Sequence, residues 1–316
     1  MHILLIFLNP AVVGILMLFF SVIWMLMDEK DKVRPLLVFA LTLNLFFGVM
    51  LKIFMGREGS LLPFKFDYIL LHIDQSLGIT TQLVAVPLHG SLRIPLFVVY
   101  QLMVPMMIFW FVITKYRVQG GSVVMAYIAE LIAGPILYAV VPACGPLYAF
   151  GKLWLHHPAI AAIPVRLAGM PNAFPSLHLA TAIVLVLFAP GIWYRALALA
   201  FLAGTGLATL STGEHYVIDL FPGMLFGCYA AAVGFRQYRK ARFFLLAALG
   251  WSLLVRLASP FLINHAYPLR FITLLTVLAV AVHIVLQWKV SPIPGIGDTE
   301  DPALPRAELA PEADAS

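Results

Sequence analysis

Nine apolar runs of about twenty residues each leave this chain few ways to fold. They cover about 3–27, 35–55, 94–114, 122–143, 175–193, 196–212, 215–234, 243–263 and 270–288. A helix of about 20 apolar residues crosses the ~30 Å hydrocarbon core of a bilayer. Inside that core every backbone N–H and C=O must find a partner within the protein, which a helix provides by itself. With 62% hydrophobic and only 11% charged residues, the chain is predicted to be an all-α, polytopic transmembrane helical bundle of about nine spans. The first run does not read as a signal peptide. It is too long, no basic segment precedes it, and no small-residue cleavage site follows.

The charges between the runs set an orientation. Loops 28–34, 115–121, 190–195 and 235–242 with the C-terminal tail hold twelve Lys and Arg, against eight on the other side. Short loops carry the bias, which is where the positive-inside rule applies. The expected arrangement is a multi-pass protein of the cell membrane with its C-terminus cytoplasmic. The net charge of +5 is no nucleic-acid footprint, because no basic run is interleaved with aromatic residues.

Other segments read differently. Residues 57–92 mix apolar positions with Lys65, Asp67, His72, Asp74, Gln75 and His89, as an interfacial or re-entrant helix would. There His72 and Asp74 read as headgroup contacts. The Gly- and Pro-rich connection 144–174 holds Lys152, His156, His157 and Arg166. Both of those histidines read as residues of a wet interfacial loop. Residues 290–316, acidic and rich in proline, read as a disordered tail. Cys144 and Cys228 lie at unlike depths, so a disulfide is not expected, and two thiols are too few for zinc. Glu130, inside the fourth run, reads equally as a functional carboxylate or as a quiet protonated one.

Two short polar motifs stand out against the apolar background. They are Phe174-Pro175-Ser176-Leu177-His178 and Gly213-Glu214-His215-Tyr216-Val217-Ile218-Asp219, the two histidines standing 37 positions apart. His215 and Asp219 are four apart, hence on one face of a helix. A carboxylate so placed holds an imidazole in one tautomer, as a nucleophile or base requires. Pro175 suits a first helical turn, with Asn172 or a neighbour available to cap it. Ser211 and Glu214 have capping-box spacing at the start of the seventh span. The span order brings 144–174, His178 and His215 to one membrane face, expected to be extracytoplasmic. Two imidazoles, a carboxylate and two helix N-termini there suit a phosphate ester.

The pair Pro-Ser-x-His and His-x-x-x-Asp resembles the signature of the type-2 phosphatidic acid phosphatase superfamily, over about residues 94–235. Gly213-Glu214-His215-Tyr216-x-x-Asp219, with Pro142-Ala143-Cys144-Gly145-Pro146-Leu147-Tyr148 upstream, looks most like the branch containing inositol phosphorylceramide synthases. The resemblance implies a six-helix phosphatase-type catalytic core at 93–235. N-terminal helices and the interfacial segment (1–92) would precede it, and further spans (236–289) would follow. It implies a phosphohistidine mechanism with no metal and no cofactor. His215 would attack phosphorus, Asp219 would orient it, and His178 would protonate the leaving alkoxide. Ser176 would bind the phosphoryl oxygens, and Lys152 and Arg166 stand as phosphate-binding cations.

The chain also departs from the phosphatase branch. No Lys-x6-Arg-Pro string occurs in 144–174, and Thr209 stands where an arginine would precede the nucleophile by six positions. These departures favour a phosphotransferase acting on a phospholipid or sphingolipid-type substrate over a plain lipid-phosphate phosphatase. The partners implied are that lipid and the bilayer, with no nucleic acid and no protein partner evident. A transporter or flippase of anionic lipid is the reading from a different class. It would need polar residues or broken helices near the midplane, where Glu130 is the main candidate.

Overall fold

The computed structural model of the chain describes residues 65–88, 90–115, 122–151, 154–155 and 172–290, with four single positions before them. The predicted spans at 3–27 and 35–55, apart from those positions, lie outside the described residues. So do the acidic tail beyond 290 and the residues Lys152, His156, His157 and Arg166.

The described residues form helices and no strand. In chain order they are α1 (Asp67–Leu77), α2 (Thr81–Leu88), α3 (Arg93–Gln101), α4 (Met103–Lys115), α5 (Val123–Val140) and α6 (Pro146–Phe150). There follow α7 (Leu177–Leu187), α8 (Ile192–Ser211), α9 (Val217–Gly234), α10 (Tyr238–Asn264) and α11 (Ala266–Val290). Among the described residues five helices are long and apolar enough to cross a membrane, namely α5, α8, α9, α10 and α11. The number rises to seven if the bent pairs α1–α2 (82°) and α3–α4 (50°) each count as one span. The chain is therefore a helical membrane bundle.

Two predicted spans are not single straight helices. The run at 94–114 breaks at Leu102. Pro105 has no N–H to donate, and its ring crowds the carbonyl four residues back, at Gln101. The run at 175–193 shrinks to the eleven residues of α7. Ser176 is its N-cap, accepting from the Leu179 N–H at 3.4 Å, so Pro175 and Asn172 lie ahead of the helix instead of starting it. Pro190 disfavours helix at the residue before it and stops the far end. At 1.5 Å per residue, α7 is roughly 16 Å long and cannot cross the bilayer alone.

Instead α7 is a central plug. Leu179 to Leu187 are all buried, and α4, α5, α8 and α9 pack around it. With no hydrophobic drive between helices in lipid, close approach of small residues supplies the packing. Gly223 and Gly227, four apart on α9, let it lie on the α7 backbone. A Cβ at Gly223 would stand 2.6 Å from the Ser176 carbonyl, and one at Gly227 would strike the Ala180 carbonyl. Further along, the Ser122 N–H donates to the Gly234 carbonyl at 2.9 Å. There α9 stops with Arg236 in the left-handed region (φ 58). Its N–H and that of Gln237 close onto the Val233 and Ala232 carbonyls at 2.9 and 2.8 Å, a Schellman ending.

The helix pair α1–α2 bends by 82° at Gly78 (φ 87), as a broken span or a re-entrant segment would. Helix α1 packs on α9, α10 and α11, and α2 packs on α8. Cys144 and Cys228 are buried and free.

Close packing at Gly227 has a measurable consequence. Gly227→Val should destabilise the bundle by about 1–3 kcal/mol through overpacking, read as a lower melting temperature in detergent. Gly250→Ala, on an α10 face with nothing within 4 Å, should be neutral or slightly stabilising, since alanine favours helix over glycine.

Candidate active site

His215 and Asp219 do not share a helix. His215 lies in the turn between α8 and α9, one residue before the N-cap Tyr216, and the capping box predicted at Ser211 and Glu214 does not form. Ser211 ends α8, and its hydroxyl donates to the Ala208 carbonyl at 3.1 Å. The cap comes from Asp219, whose Oδ2 accepts the Tyr216 N–H at 2.7 Å. That same oxygen lies 3.5 Å from His215 Nδ1. The shorter contact of Nδ1 is to the Ala173 carbonyl, at 2.7 Å. A carbonyl can only accept, so Nδ1 carries the proton and Nε2 keeps its lone pair.

Two loops interleave to hold this turn. The Ala173 N–H donates to Ala143 at 2.8 Å, and the Leu147 N–H donates to Gly213 at 2.9 Å. The Tyr148 hydroxyl donates to Glu214 Oε1 at 3.0 Å. Both crossings need glycine. Gly145 (φ 87) and Gly213 (φ 74) are left-handed, and a Cβ at the first would strike the Glu214 carbonyl while one at the second would meet the Trp154 ring at 2.7 Å. The upstream motif 142–148 and the motif 213–219 are thus one structural unit.

His178 stands in the first turn of α7, half-buried. Tyr100 of α3 stacks on it with centroids 4.2 Å apart, and the His215 ring lies 5.9 Å away, nearly perpendicular. Ser176 is fully buried. Its oxygen accepts the Leu179 cap bond, leaving its O–H free to donate. The N–H groups of Leu177 and His178 have no protein acceptor among the described residues. The catalytic candidates His215, Asp219 and His178 and the phosphate-binding candidate Ser176 therefore meet at one place.

The second helix N-terminus differs from expectation. The first donors of α9 are already taken: the Val217 and Ile218 N–H groups donate to Asp74 Oδ2 and Oδ1, each at 2.9 Å. So α9 offers no free donor to a phosphate, and the open N-terminus is that of α7. Asp74 is fully buried and makes no headgroup contact, contrary to its sequence reading. Thr81 Oγ1 lies 3.3 Å from Asp74 Oδ2 and 3.2 Å from the His215 carbonyl. Asp67, equally buried, accepts the Cys144 and Gly145 N–H groups at 2.9 Å and the Tyr216 hydroxyl at 3.0 Å. The spacing of the two aspartates, seven residues in a mostly apolar segment, was a one-face helical signal that could have identified them. Nothing in the apolar run 94–114 marked Tyr100.

Beside the histidines opens a cavity of about 610 Å³, bordered by Arg93, Tyr100, Gln101, Trp154, Thr212 and Glu214 among others. Arg93 is exposed there, a cation that the motif reading passed over. Glu130 is buried within α5. Its Oε1 accepts the Thr181 hydroxyl at 2.6 Å, one turn into α7 from His178, and its Oε2 has no partner. Among the described residues no three His, Cys, Asp or Glu side chains form a metal-binding group.

Burial dominates the electrostatics of the turn. It pushes the His215 imidazole down to about 4, against the opposing effects of Glu214 and the Ala173 carbonyl. Burial raises Glu214, while His215 and the Tyr148 hydroxyl oppose it, and burial with the Glu214 charge lifts Tyr148 to about 12. His215 is thus neutral at pH 7. As pH falls from the ordinary histidine value of 6.5 towards about 4, the unfolded chain takes up a proton that the folded protein refuses. The stability contributed by neutral His215 is therefore full above 6.5 and lost toward 4. The acid limb of kcat/KM reports the base of the free enzyme. If His215 acts as that base, a donor that does not titrate in this range should give a limb centred near pH 4. A limb centred near 6.5 would refute burial as the controlling effect.

Residues 68–233, more than half of the chain, match the family model described as PAP2 superfamily. No curated protein and no solved structure matches the chain. The matched stretch runs from the start of α1 almost to the end of α9. It contains both histidines, both carboxylates that hold the His215 turn by its backbone (Asp74 and Asp219), and the short helix on which His178 stands. The chain belongs to the PAP2 superfamily and is a multi-pass membrane enzyme of lipid-phosphatase type.

Proposed function

We propose that the enzyme transfers phosphoryl groups on membrane lipids through a phosphohistidine at His215, and that it is inositolphosphotransferase-like in its choice of reaction. The observation that carries this reading is the Nδ1 contact to Ala173 at 2.7 Å, which leaves Nε2 unprotonated beside His178. Nε2 would attack phosphorus while the alkoxide leaves with a proton from His178. His178 would then take a proton from water or an alcohol, whose oxygen attacks the phosphoryl group and returns His215 to its starting state. Asp219, 3.5 Å from Nδ1, would stabilise the positive ring once phosphorus is bound. Ser176 and the free N–H groups of α7 would bind the equatorial oxygens.

The charge balance supports a transferase using a phosphodiester. A phosphomonoester brings close to two negative charges at neutral pH and a phosphodiester brings one. Thr209 takes the place of a clamping arginine and is fully buried, its hydroxyl donating to the Gly206 carbonyl at 3.0 Å. A site with fewer cations suits the less charged donor. The bent pairs α1–α2 and α3–α4 give a lipid carrier the broken helices it would need, but Asp67 and Asp74 are engaged by backbone groups and line no path.

The test is thin-layer analysis of reconstituted protein given labelled phospholipid, with and without inositol-type or ceramide acceptors. A new phosphorylated lipid is expected. Free phosphate alone would indicate the plain phosphatase, and neither product would favour the carrier. His215→Ala should lose at least 10²-fold in rate while staying folded and inserted, as removal of such groups does. Retention of a tenth of the rate would exclude it as nucleophile.

Arg166 and Lys152 are proposed as the cations that offset the developing charge. A guanidinium can grip two phosphoryl oxygens where an ammonium cannot. Arg166→Lys should therefore lower turnover tenfold or more, equivalent to about 1.4 kcal/mol, and Lys152→Arg should be far milder. Parental turnover in Arg166→Lys would leave the helix end and Arg93 to hold the phosphate.

A further inference from the structure

We propose that Asp74 is a positioning residue for phosphoryl transfer: from α1 it grips the turn that presents His215 and sets the height of the nucleophile. This rests on the reading of His215 as the attacking group. Asp74 Oδ2 and Oδ1 each take one N–H, from Val217 and Ile218, at 2.9 Å. Those are the second and third residues after His215. Thr81, on α2, adds a hydroxyl 3.2 Å from the His215 carbonyl and 3.3 Å from Asp74 Oδ2. The α1–α2 elbow thus touches the backbone of this turn at three points within four residues, His215, Val217 and Ile218, across more than 130 residues of sequence.

Geometry makes the grip directional. Two parallel N–H groups on two carboxylate oxygens fix both the distance and the rotation of a helix end, as a bidentate pair does. Rotation of α9 about its axis would swing His215 away from the Ala173 carbonyl and from His178. A small residue or a hydroxyl could cap one donor, but it could not hold two at once. Asp74 also closes the α9 N-terminus to anions, so the phosphoryl group is directed to the open donors of α7, beside His178. Such a residue acts on the transition state through its neighbour, because misplacement of about 1 Å can cost 10²-fold.

The experiment compares the parent enzyme, His215→Ala, Asp74→Asn and Thr81→Val, each full-length in detergent or nanodiscs, with a labelled phosphodiester lipid. Asparagine offers one oxygen to the two N–H groups and turns its own donors toward the other. Asp74→Asn should lower kcat tenfold or more with KM within twofold of the parent. Thr81→Val, which removes one hydroxyl and little volume, should lower kcat about threefold to fivefold with an unchanged melting temperature. A merely structural role would lower the melting temperature and the folded yield but leave kcat per folded molecule unchanged. If Asp74→Asn fails to fold, Thr81→Val decides alone. Parental kcat in either folded variant overturns the inference. An inactive parent, or an active His215→Ala, would instead overturn the reading of the nucleophile.

Discussion

The mouth of α9 begins with backbone donors that lipid cannot satisfy, and the catalytic turn is built around answering them. A buried N–H without a partner costs about 1–3 kcal/mol, and a helix start has several. Asp74 takes two of them and Asp219 takes the Tyr216 N–H just ahead. Asp67 fixes the Tyr216 ring and the loop beside it. Three carboxylates, each fully buried, therefore hold the turn that carries one histidine. Their arrangement means that His215, the proposed nucleophile, is placed by contacts of its neighbours' backbone and not by its own side chain alone.

The short helix α7 completes the geometry. Because it is only eleven residues long, its N-terminus lies within the bundle, where longer helices screen it from lipid. His178 and Ser176 are carried there by a helix start whose first N–H groups have no acceptor among the described residues, while the neighbouring helix start is closed by acids. In the proposed reaction the first would cradle the phosphate, and the second is a fixed mount. The two glycines in α9 allow it to lie close against α7, and the left-handed glycines at 145 and 213 allow the loops to cross beside the His215 turn.

Burial also decides protonation at the turn. His215 stays neutral across the physiological range because a charged ring would be desolvated. Its tautomer is fixed by the Ala173 carbonyl, and the Asp219 carboxylate lies 3.5 Å from the same nitrogen. As the proposed nucleophile it would need no separate base, and Asp219 would offset its charge once it becomes positive.

Most of the membrane architecture was legible in the sequence, because apolar length alone dictates helices in a bilayer. The predicted runs between 122 and 288 correspond to described helices, with shifts of a few residues at most ends. The residue types of the site were legible too, since polar groups in an apolar chain stand out. Local spacing misled where a turn replaced a helix. His215 and Asp219 look like helix neighbours, yet they meet because Asp219 folds back as a cap. Pro175 looked like a helix start, yet Ser176 holds that place. Asp74 looked like a headgroup contact because its partners lie more than 140 residues away. Apolar period and residue chemistry are properties of a segment, so the sequence determined the class of fold and the kinds of groups at the site. Which backbone donors are free, which carboxylate holds which turn, and which nitrogen of His215 carries its proton depend on contacts between segments, and only the tertiary structure decided them.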